Sequence, residues 1–285
     1  MQLHGIYLAA LLTTGIAAAI FVALVHRLRK PANERLVWLA AAVALPMQPL
    51  AFYLVRIPLD HWLVGQLGST STVYQWVTSF YAPVTEEPAK LVPLLIPAIR
   101  RDISAANFVR YALAIGFGFA IGEMWLVARF VAVAPAFAAL PFYLFGGYVA
   151  ERLVTCLLHG AFISVSLWRL RSRFLLGLAG AMLLHWLLNF PILLLAWNAG
   201  GLGKIFWSTA NQAWLLLFVV ASLGLLSYFT FGKFSPGRSL FGRRRCPECA
   251  AEYDAPIFAA NFGTKRYERC PHCRRWHWTR AVTES

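Results

Sequence analysis

Residues 80 to 91 read FYAPVTEEPAKL, which sets Glu86, Glu87 and Lys90 inside an otherwise apolar and aromatic run. Other apolar runs carry Glu123, His159, and the pair His185 and Asn189. A charged side chain at the centre of a bilayer costs about 2.5–3.5 kcal/mol on insertion scales, so each needs a partner or a task. Carboxylates and imidazoles shielded from water are proton carriers. A carboxylate in a low dielectric is a stronger base than in solution, and two adjacent ones can divide the work between an ionised and a neutral form.

Helical spacing groups these residues. Glu86 and Lys90 are one turn apart, as are His185 and Asn189, and Glu151, Thr155 and His159 form a polar stripe. Gly116, Gly118 and Gly122, within GFGFAIGE, allow a neighbouring backbone to come close beside Glu123. Pro83, Pro88 and Pro93 remove backbone donors around the glutamate pair and predict a kink there. Each group also has a plain structural reading: an intrahelical Glu86–Lys90 ion pair, a Glu151–Arg152 pair neutralised at an interface, or histidine and asparagine as interhelical glue.

The elements that must position these groups are membrane helices. Of 285 residues 59% are hydrophobic and 13% charged, gathered in long runs, so the expected fold is an all-α polytopic membrane protein. Seven stretches of about 20 residues or more qualify as spans, near 5–25, 36–57, 72–99, 109–133, 141–168, 174–197 and 206–231. The net charge of +14 follows topology rather than nucleic-acid binding, because the basic clusters fall in alternate loops: His26 to Lys30, Arg100-Arg101, Arg169 to Arg173, and the tail from Lys233. The opposite loops hold little beyond Arg56 and Lys204. The positive-inside rule then sets the N-terminus outside and the C-terminus in the cytoplasm, with the first span as a reversed anchor instead of a cleaved signal. On this topology, at 1.5 Å per residue, Glu86, Glu87, Glu123, His159 and His185 share a layer of roughly 10 Å near mid-membrane and could line one polar cavity.

The chain divides into a transmembrane region over 1–232, with its motif-bearing core at about 70–195, a basic linker over 233–244, and a ribbon over 245–285. The ribbon holds Cys246-Pro-Glu-Cys249 and Cys270-Pro-His-Cys273. Two CxxC knuckles at this separation supply four thiolates for a tetrahedral structural zinc, and some forty residues are too few to hold together by apolar burial alone. Paired disulfides would need an oxidising compartment, which a cytoplasmic tail lacks. Its basic GRRRCPEC and aromatic RRWHWTR stretches suit a cytosolic protein, a nucleic acid or anionic lipid as partner. Cys156 reads as a small packing residue.

The order Glu86-Glu87-Pro88-Ala89-Lys90 as EExxK, Phe119 to Glu123 as FxxxE, then His159, then His185 to Asn189 as HxxxN resembles the PrsW family of membrane-embedded proteases, of the glutamic clan that includes the CAAX prenyl proteases. Met124 departs from the asparagine that often follows the second-motif glutamate, and the ribbon lies outside the family's pattern. The resemblance implies a bacterial inner-membrane protein that hydrolyses a peptide bond of a membrane-anchored substrate, such as an anti-sigma factor. On that basis Glu86 is the general base on a water, Glu123 or His159 orients the water, and Lys90 holds the carboxylate pair. His185 and Asn189 point donors at the developing oxyanion. A catalytic zinc held by Glu123, His159 and His185 is geometrically open but not favoured, and HExxH is absent. Two readings compete: a proton- or ion-coupled transporter using the Glu/His cluster, against which no inverted repeat is visible, and a membrane scaffold for the ribbon, which leaves the buried glutamates unexplained.

Overall fold

The computed structural model describes residues 4–28, 32–197, 201–231, 243–255, 259–262 and 265–280. It divides into two compact units, Met1–Leu226 and Ser227–Ser285. The first is helical. Helix α1 spans Gly5–Arg27. A near-continuous helical run over Glu34–Leu67 follows, made of α2 (Glu34–Ala44), α3 (Met47–Ala51), a wide π turn over Phe52–Arg56, and α4 (Ile57–Leu67). Asn33 starts it by accepting a hydrogen bond from the Arg35 backbone N–H at 3.1 Å. Because this run extends ten residues past the expected end at 57, Arg56 lies within a helix and not in a loop.

Long helices then carry the chain back and forth: α8 (Phe108–Val133), α9 (Gly146–Trp168), α10 (Phe174–Ala196) and α11 (Lys204–Phe231). Between α4 and α8 lie four short pieces. They are α5 (Thr72–Thr78), α6 (Tyr81–Ala89), a 3-10 turn over Val92–Leu95, and α7 (Pro97–Asp102). Among the described residues, six helices or helical runs are thus long and apolar enough to cross a bilayer, which marks the chain as a membrane protein. The seventh stretch expected, 72–99, is not one continuous helix. Pro88 sits inside α6 and Pro93 and Pro97 open the next two pieces, so the proline ladder breaks the helix outright instead of only kinking it.

The centre of this unit is α8, with 78% of its most apolar window buried against 17% for α10 and 22% for α11. It packs on α1, α2 and α9, while α10 packs on α9 and α6. Two glycines of α8 face different neighbours. A Cβ on Gly116 would stand 2.4 Å from the Gly160 backbone nitrogen on α9, and one on Gly118 would stand 2.0 Å from the Ala41 carbonyl on α2. Only glycine permits both approaches. The outer helices leave Leu11, Leu175, Ile205 and Leu216 exposed, as lipid-facing side chains would be.

The second unit is a small β module. Strands β1 (Arg243–Arg245) and β2 (Glu252–Asp254) pair antiparallel, and β3 (Ala260–Phe262), β4 (Lys265–Arg269) and β5 (Trp276–Arg280) form an antiparallel sheet in that order. Of the basic linker expected over 233–244, all but 243–244 falls outside the described residues, and those two belong to β1. The last ribbon residues, 281–285, also fall outside them.

Candidate active site and candidate metal centre

Helix α6 presents Glu86 and Glu87, both buried. The Phe80 and Trp186 rings stack at 5.1 Å, and Trp186 Nε1 donates to Ser79 Oγ at 3.1 Å, which fixes α6 against α10. His185 is thereby brought to Glu87: its Nδ1 stands 2.6 Å from Glu87 Oε1. Lys90 Nζ donates to the same oxygen at 2.5 Å and lies 5.0 Å from the centre of the Phe119 ring. Lys90 thus pairs with Glu87, three residues back, and not with Glu86 as the one-turn spacing suggests. The helix tightens at its end, where Leu91 N–H bonds Pro88 O, and a tightened turn aligns side chains at i and i+3.

Glu86 takes a different cation. Arg56 Nη2 donates to Glu86 Oε1 at 2.6 Å and lies 3.3 Å from Thr85 Oγ1. The π turn that ends at Arg56 inserts an extra residue into its helix, the kind of irregularity that re-aims a side chain.

On α8, Glu123 is held from α9. Arg152 Nη1 donates to Glu123 Oε1 at 2.8 Å, and His159 Nε2 is 2.7 Å from Glu123 Oε2. The Gly116–Gly160 approach beside His159 draws the two helices close enough for this. Arg152 also bonds Glu151 at 2.5 Å, so the Glu151–Arg152 pair is real, but its arginine is shared with the buried cluster. Thr155 Oγ1 returns its hydrogen bond to the Glu151 carbonyl. Met124 points the other way, toward Thr14 of α1.

The two carboxylate–histidine pairs meet across Glu86. Ligand atoms of Glu86, Glu123 and His159 all lie within 4.8 Å of one another, His185 Nε2 is 3.9 Å from Glu86 Oε2, and the His159 and His185 rings are 6.0 Å apart edge to face. Five of the six residues singled out for chemistry therefore converge, with Lys90. The Asn189 side chain is half-buried and makes no hydrogen bond among the described residues. Arg56 and Arg152 join the cluster unannounced by motif. For Arg152 a signal existed, since it lies two turns before His159 on the same face of α9.

The chemistry of this arrangement follows from its protons. An ionised carboxylate only accepts, so His185 donates from Nδ1 to Glu87 and His159 donates from Nε2 to Glu123. In neutral His185 the Nε2 lone pair then faces Glu86. Each of the three buried carboxylates is bonded to a cation, Glu86 to Arg56, Glu87 to Lys90 and Glu123 to Arg152, the last also shared with the exposed Glu151. Because these cations hold the carboxylates, the imidazoles need not be charged to do so, and a neutral imidazole can accept or relay a proton.

In the ribbon, Cys246 Sγ lies 3.7 Å from Cys273 Sγ and Cys249 Sγ 3.8 Å from Cys270 Sγ, and all four sulfurs lie within 4.8 Å of one another. Metal–thiolate bonds of about 2.3 Å in a tetrahedron give sulfurs roughly 3.8 Å apart. A disulfide needs about 2.05 Å, and the cysteines are free. Each knuckle closes alike: Ala250 and Arg274, directly after the second cysteine, take positive φ of 55° and 60°. The four cysteines can therefore hold a metal ion.

Comparison with protein-family models, with curated proteins and with solved structures finds no match for this chain.

Proposed function

We propose that this chain is a membrane-embedded endopeptidase of the PrsW-like, glutamate-dependent kind, acting on a membrane-anchored protein with Glu86 as general base. The observation that carries the reading is the position of the Glu86 carboxylate between the Glu87–His185 and Glu123–His159 pairs, in a cluster where each buried carboxylate is bonded to a cation. A water held among Glu86, Glu123 and His159 loses a proton to Glu86 as its oxygen bonds the scissile carbonyl carbon. Glu86, now protonated, returns that proton to the departing amine as the C–N bond breaks. The Asn189 amide, uncommitted among the described residues, donates to the oxyanion, and His185 joins it when protonated at Nε2. Lys90 and Arg56 hold Glu87 and Glu86 in place. Alternating basic loops support a bacterial inner-membrane topology with the N-terminus outside, the broken segment over 72–102 completing a seventh crossing, and the ribbon cytoplasmic with a structural zinc. Its substrate would be a single-pass protein such as an anti-sigma factor. Quantitative comparison of membrane-protein fragments from cells with the wild-type protein and with Glu86→Gln tests this: fragments that vanish in the variant support it, and identical fragment sets remove it.

A second reading is favoured by one observation, the mutual approach of Glu86, Glu123 and His159, which are metal-ligating types. Against it stand Arg56 and Arg152, each already bonded to one of those carboxylates, which would have to yield for a divalent cation.

A further inference from the structure

The ribbon's three-stranded sheet is inverted relative to an ordinary small β module. Its inward face is polar: Arg266, Glu268, His277 and Thr279 alternate as buried residues, with Glu268 accepting from Thr279 Oγ1 at 2.7 Å and from the Tyr253 hydroxyl at 3.0 Å. Its outward face is aromatic. Tyr267, Trp276 and Trp278 are 38%, 56% and 50% exposed, and the register sets Tyr267 opposite Trp278 and Arg269 opposite Trp276. These rings lie on the sheet face opposite the buried polar residues, and a contiguous exposed aromatic patch of this kind marks an interaction surface.

We propose that this face docks on the anionic headgroup surface of a lipid bilayer; the proposal rests on the membrane reading of the helical unit and not on its proteolytic chemistry. Tyr267 stacks on Trp276 at 5.5 Å and touches Trp278 at 5.2 Å, so the rings form one continuous patch and cover part of one another's faces. Separate open ring faces, which successive bases of a single strand would need, are not what this provides. Tryptophan and tyrosine are the side chains that settle at the boundary of headgroup and hydrocarbon. Around the patch, Lys265, Arg269 and Arg274 are exposed, and Glu268, the one acid of β4, is turned inward. From 243 to 280 there are nine Lys and Arg residues against four Asp and Glu, the sign that anionic lipid attracts. Only eleven residues, 232 to 242, separate α11 from β1 in sequence, and a chain of that length reaches at most about 40 Å. Such a tether keeps the local concentration of membrane surface high, so a modest affinity suffices for docking.

The test uses the full chain, zinc-loaded, in nanodiscs of phosphatidylcholine alone or mixed with phosphatidylglycerol, with p-benzoylphenylalanine in place of Trp276. On illumination, cross-links to lipid are expected in the mixed discs and at least about five-fold fewer in phosphatidylcholine alone or after Lys265→Gln with Arg269→Gln. Zinc content verifies that each variant keeps its four-cysteine fold, and Glu86→Gln should leave the cross-links unchanged. Absence of lipid cross-links in both discs overturns the proposal, as does equal cross-linking in both. So does a labelled oligothymidylate that binds the same discs and suppresses the lipid cross-link, which would reassign the face to nucleic acid.

Discussion

One imidazole, that of His185, stands between two adjacent carboxylates: its Nδ1 is 2.6 Å from Glu87 Oε1 and its Nε2 is 3.9 Å from Glu86 Oε2. The two glutamates are neighbours in sequence but not equivalent in structure. Glu87 is 1% exposed and fixed by Lys90 and His185, whereas Glu86, among the described residues, meets only Arg56 at hydrogen-bond distance. Glu87 Oε1 carries two hydrogen bonds and its Oε2 is sealed from solvent without a partner among the described residues, whereas Glu86 carries one and its Oε2 faces His185 Nε2 at 3.9 Å, which makes Glu86 the better base.

That asymmetry separates the two amide variants. Glu86→Gln should lower proteolysis at least about 100-fold while membrane insertion and thermal stability stay near normal, because the amide keeps the shape but cannot take a proton. Glu87→Gln should lower activity and also destabilise by about 3–5 kcal/mol, since it leaves the fully buried Lys90 ammonium without its counterion. Thermal unfolding in detergent alongside turnover on a substrate peptide measures both. Equal stability of the two variants would contradict the division of roles.

Arg152 makes a similar case on the other side of the cluster. Arg152→Met strips Glu123 of a bond at 2.8 Å and should destabilise by roughly 3–5 kcal/mol, and adding Glu123→Met should recover most of that loss by removing the orphaned charge. Activity should not return in the double variant if Glu123 helps to hold the water. Recovery of both stability and turnover would show Glu123 to be a structural counterion only.

The approach of α8 to α9 is set by backbone, so a methyl group should be felt. Gly116→Ala is expected to lower the melting temperature and turnover together, because the new Cβ would meet the Gly160 nitrogen at 2.4 Å and push His159 from Glu123. Gly15→Ala, where nothing lies within 4 Å, serves as the control and should be neutral or slightly stabilising. A harmless Gly116→Ala would mean that the pairing does not depend on that contact.

These residues also show what the sequence could and could not reveal. Glu86, Glu123, His159 and His185 stand out because charge or imidazole inside an apolar run is costly, and the CxxC pairs because their spacing suits one ion. Arg56 stayed hidden because the apolar run was expected to end beside it, and hydropathy does not register a helix that continues through a π turn for ten more residues. The partner of Lys90 could not be read from ideal i+4 spacing, since a proline-broken helix end tightens to i+3. The glycines of GFGFAIGE announced close packing, but not that Gly116 and Gly118 serve opposite faces of α8; that depends on how the helix is rotated among its neighbours, which no local pattern encodes.

Metal should matter to the ribbon and not to the hydrolytic step. A chelator strong enough to strip Cys246, Cys249, Cys270 and Cys273 should unfold residues from about 243 onward, because among the described residues the module's apolar core is only Tyr253, Ala255 and two of the cysteines. A chain ending at residue 231 should still cleave substrate, contain no stoichiometric metal, and resist the same chelator. Metal bound to that shortened chain, with activity lost on chelation, would make Glu86, Glu123 and His159 ligands and overturn the metal-free mechanism.

His185 and Asn189 lie one turn apart on α10, yet only His185 is bonded into the cluster, and this difference predicts different failures. His185→Ala removes a hydrogen bond from Glu87 and the ring that packs near His159, so it should cost stability as well as turnover. Asn189→Ala breaks no hydrogen bond among the described residues, so its folded fraction and melting temperature should stay near wild type. If its amide meets the oxyanion, turnover should nonetheless fall by about 10² to 10³, with much less change in substrate affinity. Measuring melting temperature, kcat and KM on the two single variants and the double settles the assignment. The double variant should be little worse in kcat than the poorer single one, because groups that serve the same charge are not additive. Normal kcat in Asn189→Ala would remove that residue from the site and leave the oxyanion to His185 alone.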